Sequence, residues 1–431
     1  MAELPVGISY GNEDHGKIRI RQGETTPLTI GCEYIPHGDE IVWKSWKGTE
    51  VPFFFSRDAQ DLITKSGDEF IIGQDIIASA FFLLSGWNEY YSGDKDSHGR
   101  FPYASSIQKR LDITGKPIVN YYFDILKTVI EEASGKSIYP HTWEGKPFVL
   151  CLTHDIDTCE TGWMQGGLHA LKNMQFLTPI KLIYKKLSGK DAWFNFEDIL
   201  RLEQFYGAPS TFFFLTTQEI RLGIKNADYN LRDPKFQRVF ELLAKAGSEV
   251  GIHGSAGTYL DTEQLKDELQ QFRVPVNGNR FHFLLYDPAA SGRIIDECGL
   301  AYDTSLGFAE QPGFRNSFCF PFHPWDFKND QPFLHFEIPL TLMDGTLQKY
   351  MNLKPSETRS QFEPLIEEVR KFGGCMTVLW HNTHFSEYKF AGWKEVYTQI
   401  LETAEKYNAG LLSCCSVIKQ YSSGESCRKL P

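Results

Sequence analysis

Phe148 begins a run of six mostly apolar residues, Phe148-Val-Leu-Cys-Leu-Thr153, that runs into two carboxylates held one residue apart, Asp155 and Asp157. An unbroken apolar run of this length is the pattern of a strand buried on both faces, as in a parallel sheet covered by helices. Side chains alternate along an extended segment, so Asp155 and Asp157 leave the strand end on the same side and lie close together, while His154 points the other way. Two like charges at that spacing repel unless a cation stands between them, and a divalent metal is the usual solution. A turn cap accounts for one Asp but leaves the second without a role.

From 148 onward strand, loop and helix alternate. Runs at 148–153, 211–216, 248–252, 276–281, 298–302, 335–340, 375–380 and 410–414 read as strands, with amphipathic helices such as Asn195–Tyr206 and Pro234–Lys245 between them. The alternation predicts an α/β fold, a barrel of seven or eight parallel strands with crossover helices. Parallel barrels carry function on the loops that follow the carboxyl ends of their strands. Those ends hold Asp155 and Asp157, His253, Arg280 and His282, Asp303, and His381, which a barrel would gather into one mouth.

Residues 1–145 have a different texture and read as a smaller α+β domain of unknown role, followed by the second domain from 146 to 431. Lys17–Arg21, Glu40–Lys44 and Val51–Phe55 are short strand candidates, and Gln74–Leu84 and Pro117–Glu131 are helical. A net charge of -11 with no long Lys/Arg run lacks the basic footprint that nucleic acid or an anionic membrane surface requires, so neither partner is expected. Nine scattered cysteines without a CxxC pair, several inside apolar runs, read as reduced and mostly buried thiols. The first residues carry no basic region followed by an apolar run of signal-peptide length, and a cytoplasmic location is the expectation.

The strand-end residues resemble those of a known family, the polysaccharide deacetylases of the NodB-homology fold, a distorted (β/α) barrel of metal-dependent amide and ester hydrolases. The resemblance runs from about 148 to 415 and rests on ordered motifs. Thr153-His-Asp-Ile-Asp157 is similar to the family's first motif, Ala208-Pro-Ser-Thr-Phe-Phe-Phe214 to its second-strand signature, and Glu249-Val-Gly-Ile-His253 to its metal-binding histidine motif. Arg280-Phe-His-Phe283, Tyr302-Asp-Thr-Ser305 and Val378-Leu-Trp-His381 stand where the family has Arg-x-Pro-Tyr, Tyr-Asp-Ser-Ser and Leu-x-His. Ser85-Gly-Trp-Asn-Glu-Tyr90 and Gly99-Arg-Phe101 look like the uncharacterised amino-terminal domain that accompanies some bacterial members.

This resemblance implies roles. Asp155 is the general base, Asp157 and His253 bind the metal, Arg280 keeps Asp155 ionised, and His381 is the general acid toward a leaving nitrogen. The family takes two ligands from His-x-x-x-His, whereas this chain has Gly257 at the second position and His282 in place of the motif proline. His282 is therefore the expected third ligand, with His384 a weaker candidate. Each has a plainer reading: Arg280–Asp155 as an ordinary ion pair, His282 as a core histidine between Phe281 and Phe283, His381 as a buried histidine bonded to backbone. Asp303 reads as a structural cap with Thr304 and Ser305. Arg315, Tyr259 and Trp380 are the candidate substrate contacts, and Trp163, Trp193, Phe308, Phe314 and Trp325 a weaker candidate wall for stacking sugars.

The implied cofactor is a divalent ion, zinc first, and the implied reaction removes an acyl group, most simply acetyl, from an N-acylated amino sugar or polysaccharide. Two alternatives remain: hydrolysis of a non-sugar amide on the same fold, or a carbohydrate-binding barrel without catalysis, which the missing histidine at 257 would allow. Residues 159–193 form an insertion expected to overhang the mouth.

Overall fold

The computed structural model describes residues 6–11, 16–23, 26, 35–56, 60–187 and 191–422. The chain divides into two units, one made of Met1–Asp94, Ala104–His141 and Asn316–Phe318, the other of Lys95–Tyr103, Thr142–Arg315 and Cys319–Pro431. The division thus falls after 141, against an expected boundary at 145/146, and the short segments 95–103 and 316–318 each count with the other unit.

The first unit combines a four-stranded sheet, in the order Ile8–Tyr10, Ile18–Ile20, Glu69–Ile72, Ile63–Ser66, with the hairpin Val42–Trp46/Thr49–Phe53 and the helices Ile76–Leu84 and Ile118–Ser134. The first helix starts two residues later than the sequence predicts because Asp75 is its cap, its carboxylate accepting from the Ala78 amide at 2.9 Å. The second runs on to Ser134 and stops at Gly135, which takes the left-handed conformation with φ +66°.

In the second unit nine strands form one parallel sheet: β1 (Val149–Ile156), β2 (Thr211–Phe214), β3 (Glu249–Gly254), β4 (Gly278–Phe281), β5 (Tyr302–Asp303), β6 (Phe336–Glu337), β7 (Leu340–Met343), β8 (Cys375–Leu379) and β9 (Gly410–Leu412). Their order is β6-β5-β4-β3-β2-β1-β8-β7. The two ends of that order, β6 and β7, are successive pieces of one run interrupted at Ile338-Pro339, so the sheet curls round until β6 pairs with β5 and β7 with β8. Pro339 has no amide hydrogen to give to a ladder, while the Ile338 amide still donates to the Asp303 carbonyl at 2.9 Å. The result is a distorted barrel, as the alternation predicts. β9 pairs with β1 over Val149–Cys151, just short of the Thr153–Ile156 segment that pairs with β2.

Two expected strands come out altered. The run at 335–340 is split at Ile338-Pro339, and the run at 298–302 is reduced to Tyr302–Asp303, because Cys298 still closes the preceding helix and Gly299 turns the chain at φ +70°. The insertion holds two helices, α1 (Gly162–Lys172) and α2 (Leu177–Leu187). Around the sheet lie α3 (Phe196–Phe205), α4 (Pro234–Lys245), α5 (Thr262–Leu269), α6 (Ser291–Glu297), α7 (Arg359–Phe372), α8 (Trp393–Lys406) and α9 (Cys414–Ser422). The helix α4 has the expected start, with Asp233 accepting from the Lys235 amide and Pro234 in the first turn.

Alternation along β1 sorts the core. Leu150 and Leu152 join the cluster built with the helices, whereas Val149 and Cys151 join a separate cluster with Phe213, Tyr302, Ile338 and Cys414. Asp155 has the parity of the second set and His154 that of the first. The described cysteines are all free thiols, five buried and two half-buried, and Cys32 and Cys427 lie outside the described residues.

Gly278 on β4 shows how tightly this interior is filled. A Cβ there would stand 1.9 Å from Cζ of Tyr302, whose hydroxyl donates to Glu249 Oε1 at 3.0 Å. Gly278→Ala should therefore destabilise the unit by about 2 kcal/mol or more, read as a fall in denaturant midpoint at unchanged slope.

Candidate active site

At the carboxyl end of β1, Asp155 and Asp157 turn to the same side and meet His253 from the end of β3. His253 Nε2 lies 3.5 Å from Asp155 Oδ2 and 3.4 Å from Asp157 Oδ1. His282, just past β4, brings its Nε2 to 3.8 Å from Asp157 Oδ2, and His381, just past β8, brings its own to 3.7 Å from the same oxygen. Four strand ends therefore converge on one carboxylate. The side chains of Asp155, His253 and His282 are 2–3% exposed, against 20% for His381 and 29% for Asp157, so the site opens to solvent on the Asp157/His381 side.

The imidazoles are fixed by their far nitrogens. His253 Nδ1 is 2.6 Å from the Arg280 carbonyl, which can only accept, so Nδ1 carries hydrogen and Nε2 faces the carboxylates. His282 Nδ1 is 3.0 Å from Asn226 Oδ1. That oxygen also accepts from the Ala256 amide at 3.1 Å, and Asn226 Nδ2 donates to the Glu219 carbonyl at 2.8 Å, which settles which way the amide points. His282 Nδ1 is therefore a donor, and its Nε2 is the free nitrogen. Burial lowers the His282 pKa and favours the neutral ring.

Burial alone would raise the Asp157 carboxyl, yet His282, His253 and His381 hold it well below the usual range. For His253 burial works against charge, but Asp155 and Asp157 together push its pKa up. Asp157, His253 and His282 each offer one ligand atom within 4.8 Å of the others, and Asp157 Oδ1 is a buried oxygen without a hydrogen-bond partner. One carboxylate and two imidazoles with free Nε2 atoms are a donor set that suits zinc or a similar divalent ion.

Arg280 is wholly buried and spends its donors around Asp155. Nη1 donates to Asp155 Oδ1 at 2.9 Å and to Thr153 Oγ1 at 2.8 Å, Nε to the Thr304 carbonyl at 2.9 Å and Nη2 to Thr304 Oγ1 at 3.2 Å. Its guanidinium also lies 4.7 Å from the Phe213 ring centroid. Asp155 is thus held with one oxygen on Arg280 and the other toward His253.

His381 has a partner that sequence reasoning missed. Asp344, one residue beyond β7 and fully buried, accepts from His381 Nδ1 at 2.7 Å and from the His381 amide at 2.6 Å. Burial would lower the His381 pKa, but Asp344, with Asp157 and Asp155 behind it, pushes it up to about 10. His384 Nδ1 lies 3.0 Å from the other Asp344 oxygen, and burial lowers its pKa to about 4. His384 therefore groups with Asp344 and His381 and not with Asp157.

Other expectations change. His154 points away from the site as alternation requires, with Nδ1 on the Trp380 carbonyl at 2.7 Å and Nε2 on Glu203 at 2.8 Å. Trp380 is not a substrate contact: it is fully buried against Trp393 and Tyr397, because alternation turns it toward α8 when His381 faces the mouth. Arg315 is likewise buried, donating to the Gly307 carbonyl at 3.0 Å with Phe308 beneath it. Trp193, Phe308 and Phe314 are buried and cannot form a sugar-stacking wall. Tyr259 is half-buried beside Ile224, Ala256 and Leu285. Asp303 accepts from Asn279 and from the Ser305 amide and hydroxyl at 2.7–3.0 Å, but not from Thr304.

Gly257 adopts φ +102°, and a Cβ there would meet the Gln264 amide at 3.2 Å. Asn226 was another unforeseen residue, since nothing in the strand pattern marks a short hairpin loop as the support of a histidine. Asn226→Ala should weaken zinc binding about 10- to 100-fold in a chelator competition, with a smaller loss for Asn226→Asp, which keeps an acceptor.

No curated protein matches the sequence. Residues 5–135 match the model of a family of unknown function, DUF7033. Among solved structures, the chain is similar to a protein assigned as a polysaccharide deacetylase from Mycobacterium smegmatis, at 15% identity over 67% of this chain and 96% of that one, with a TM-score of 0.44. A protein so assigned from Pseudomonas aeruginosa PAO1 matches at 14% identity over 68% and 96%, TM-score 0.44, and a CE4 family pseudoenzyme from Bacillus anthracis at 13% over 65% and 67%, TM-score 0.30. The chain therefore carries a DUF7033 segment at its amino end, and the solved structures it resembles include polysaccharide deacetylases.

Proposed function

We propose that the protein is a metal-dependent hydrolase that removes an acyl group, acetyl being the simplest, from an N-acylated amino sugar, free or within a polysaccharide. One observation carries the reading: the Asp155/Asp157 doublet meets the free Nε2 atoms of His253 and His282 at 3.4–3.8 Å in a buried, partly open site. Asp157, His253 and His282 would hold the ion. When bound, it would supply Lewis acidity toward water and the acyl carbonyl. Because Asp155 and Asp157 raise the His253 pKa, an ion would compete with a proton for His253 Nε2, and its binding would tighten as pH rises.

The remaining steps belong to this chain's side chains. Asp155, held by Arg280 Nη1, which Thr153 Oγ1 also holds in place, takes a proton from the attacking water. His381 supplies the acid that amide cleavage needs, because an amine leaves poorly without a proton. Asp344 fixes its Nδ1–H and stabilises the imidazolium, leaving Nε2–H directed at the site. That donor lies on the more exposed side, where a leaving amino sugar can depart.

Gly257 is the one feature that favours a carbohydrate-binding barrel without catalysis. His282 weakens that alternative, because its Nε2 offers the nitrogen that position 257 lacks.

Asp155→Asn should abolish deacetylation of a chitooligosaccharide, a loss of about 10²-fold or more, while zinc stoichiometry stays unchanged; retained turnover removes Asp155 from the mechanism. Dialysis of the wild type against a chelator should stop turnover and added zinc restore it. Asp344→Asn should slow turnover about 10²-fold and shift its alkaline limb. The sign follows from His381 acting in its protonated form: activity falls as pH rises through its pKa, and loss of the Asp344 charge lowers that pKa, so the limb moves to lower pH.

A further inference from the structure

The helices α1 and α2 fold against each other as a hairpin, and they do so through small residues. Gly162, Gly166, Gly167 and Ala170 form the buried side of α1, and a Cβ at Gly166 would stand 3.1 Å from Leu182 Cδ1 while one at Gly167 would stand 3.7 Å from Pro179 Cβ. Leu182 is the only residue of α2 that is fully buried. The larger apolar side chains point outward: Leu168 is 56% exposed, Met174 78%, Phe176 68%, Leu177 71%, Ile180 65% and Leu187 82%. Ten of the eighteen large apolar side chains exposed among the described residues fall within 164–187, so this is a concentrated patch and not ordinary scatter. An amphipathic pair in a soluble protein has the opposite arrangement, large residues inside and polar ones out.

The charge of the same segment is as one-sided. Residues 161–190 contain five lysines, at 172, 181, 185, 186 and 190, and no Asp or Glu, in a chain whose net charge is -11. Lys172 and Lys181 are exposed beside the apolar residues, while Lys185, also exposed, has its Nζ 5.5 Å from the Tyr388 ring centroid and Lys186 is tied to the Glu160 carbonyl at 3.1 Å.

We propose that the α1–α2 hairpin docks on an anionic lipid surface, its apolar side chains entering the headgroup boundary and its lysines meeting anionic headgroups. Any apolar partner could cover the leucines and phenylalanine, but lysines without a single acid among them complement a layer of one charge sign. No helix among the described residues is long and apolar enough to cross a membrane, so the hairpin would lie in the interface. The expectation that a net charge of -11 excludes a membrane surface averages over the whole chain, whereas this segment carries the opposite sign. The hairpin starts five residues beyond Asp157, and its entry is pinned by Asp228, which accepts from the amides of Cys159, Glu160 and Thr161 at 2.7–3.0 Å. Docking through it would hold the strand-end side of the barrel near the bilayer.

The test is co-sedimentation of the full chain with vesicles of phosphatidylcholine, with and without phosphatidylglycerol. The wild type should sediment with the phosphatidylglycerol vesicles, and Phe176→Asp/Ile180→Asp should cut the bound fraction about tenfold or more. Lys172→Glu/Lys181→Glu and high salt should both weaken binding. An unaltered unfolding transition by circular dichroism shows each variant to be folded, and both changes lie on exposed positions. Failure of the wild type to bind, or binding indifferent to both substitutions, overturns the proposal. So does a wild-type dimer in sedimentation equilibrium that Phe176→Asp/Ile180→Asp dissolves, which would mean that a second copy covers the face.

Discussion

A guanidinium with no solvent exposure survives inside a protein only if every direction around it offers charge, a lone pair or a π face. Arg280 meets that demand with Asp155 and Thr153 from β1, Thr304 after β5 and the ring of Phe213 on β2. Leaving one half of such a pair uncompensated costs about 3–5 kcal/mol, so the strand ends that supply these groups are tied to one another by the penalty of letting go. The catalytic and structural readings of this residue then coincide. The same contact that keeps the barrel mouth in register fixes one oxygen of Asp155 and leaves the other toward His253.

The geometry of the mouth follows from this arrangement. Imidazoles from β3 and β4 are each anchored through Nδ1, one by a backbone carbonyl and one by Asn226, so both present Nε2 to the same carboxylate. His381 is anchored in the same manner by Asp344 but remains more exposed. Buried acceptors behind each ring therefore fix which nitrogen faces the mouth, with the neutral His282 ring suited to ligation and the cationic His381 ring suited to proton donation.

Much of this was legible in the sequence because a parallel barrel repeats one rule: the apolar run ends and the next polar residue of inward parity reaches the mouth. The rule located Asp155, Asp157, His253, Arg280, His282 and His381, and the parity argument also turned His154 toward the helices. Parity sends Trp380 outward once His381 faces in, and that would have removed Trp380 from the substrate contacts. Asp344 obeys the rule too, standing just past Met343, but Pro339 breaks the apolar run ahead of that strand and hides its end in the sequence. Asn226 and the burial of Arg315 lie in loops, where neither period nor parity applies and only tertiary packing decides. The outward-facing leucines of α1 and α2 were equally hidden, since a helical stripe does not say which side meets the protein.

Gly257 has a wider meaning than a missing nitrogen. At φ +102° it occupies a backbone conformation that residues with a Cβ enter only with strain, and its neighbour Gln264 leaves little room. Gly257→His would place a Cβ on a backbone that bears one only with strain, so a side chain at this position does not reach the mouth without a change of the loop's course. The nitrogen nearest to Asp157 from that side comes instead from the adjacent strand end, where Asn226 fixes the His282 ring, so the candidate ligand set depends on a hairpin outside the barrel strands.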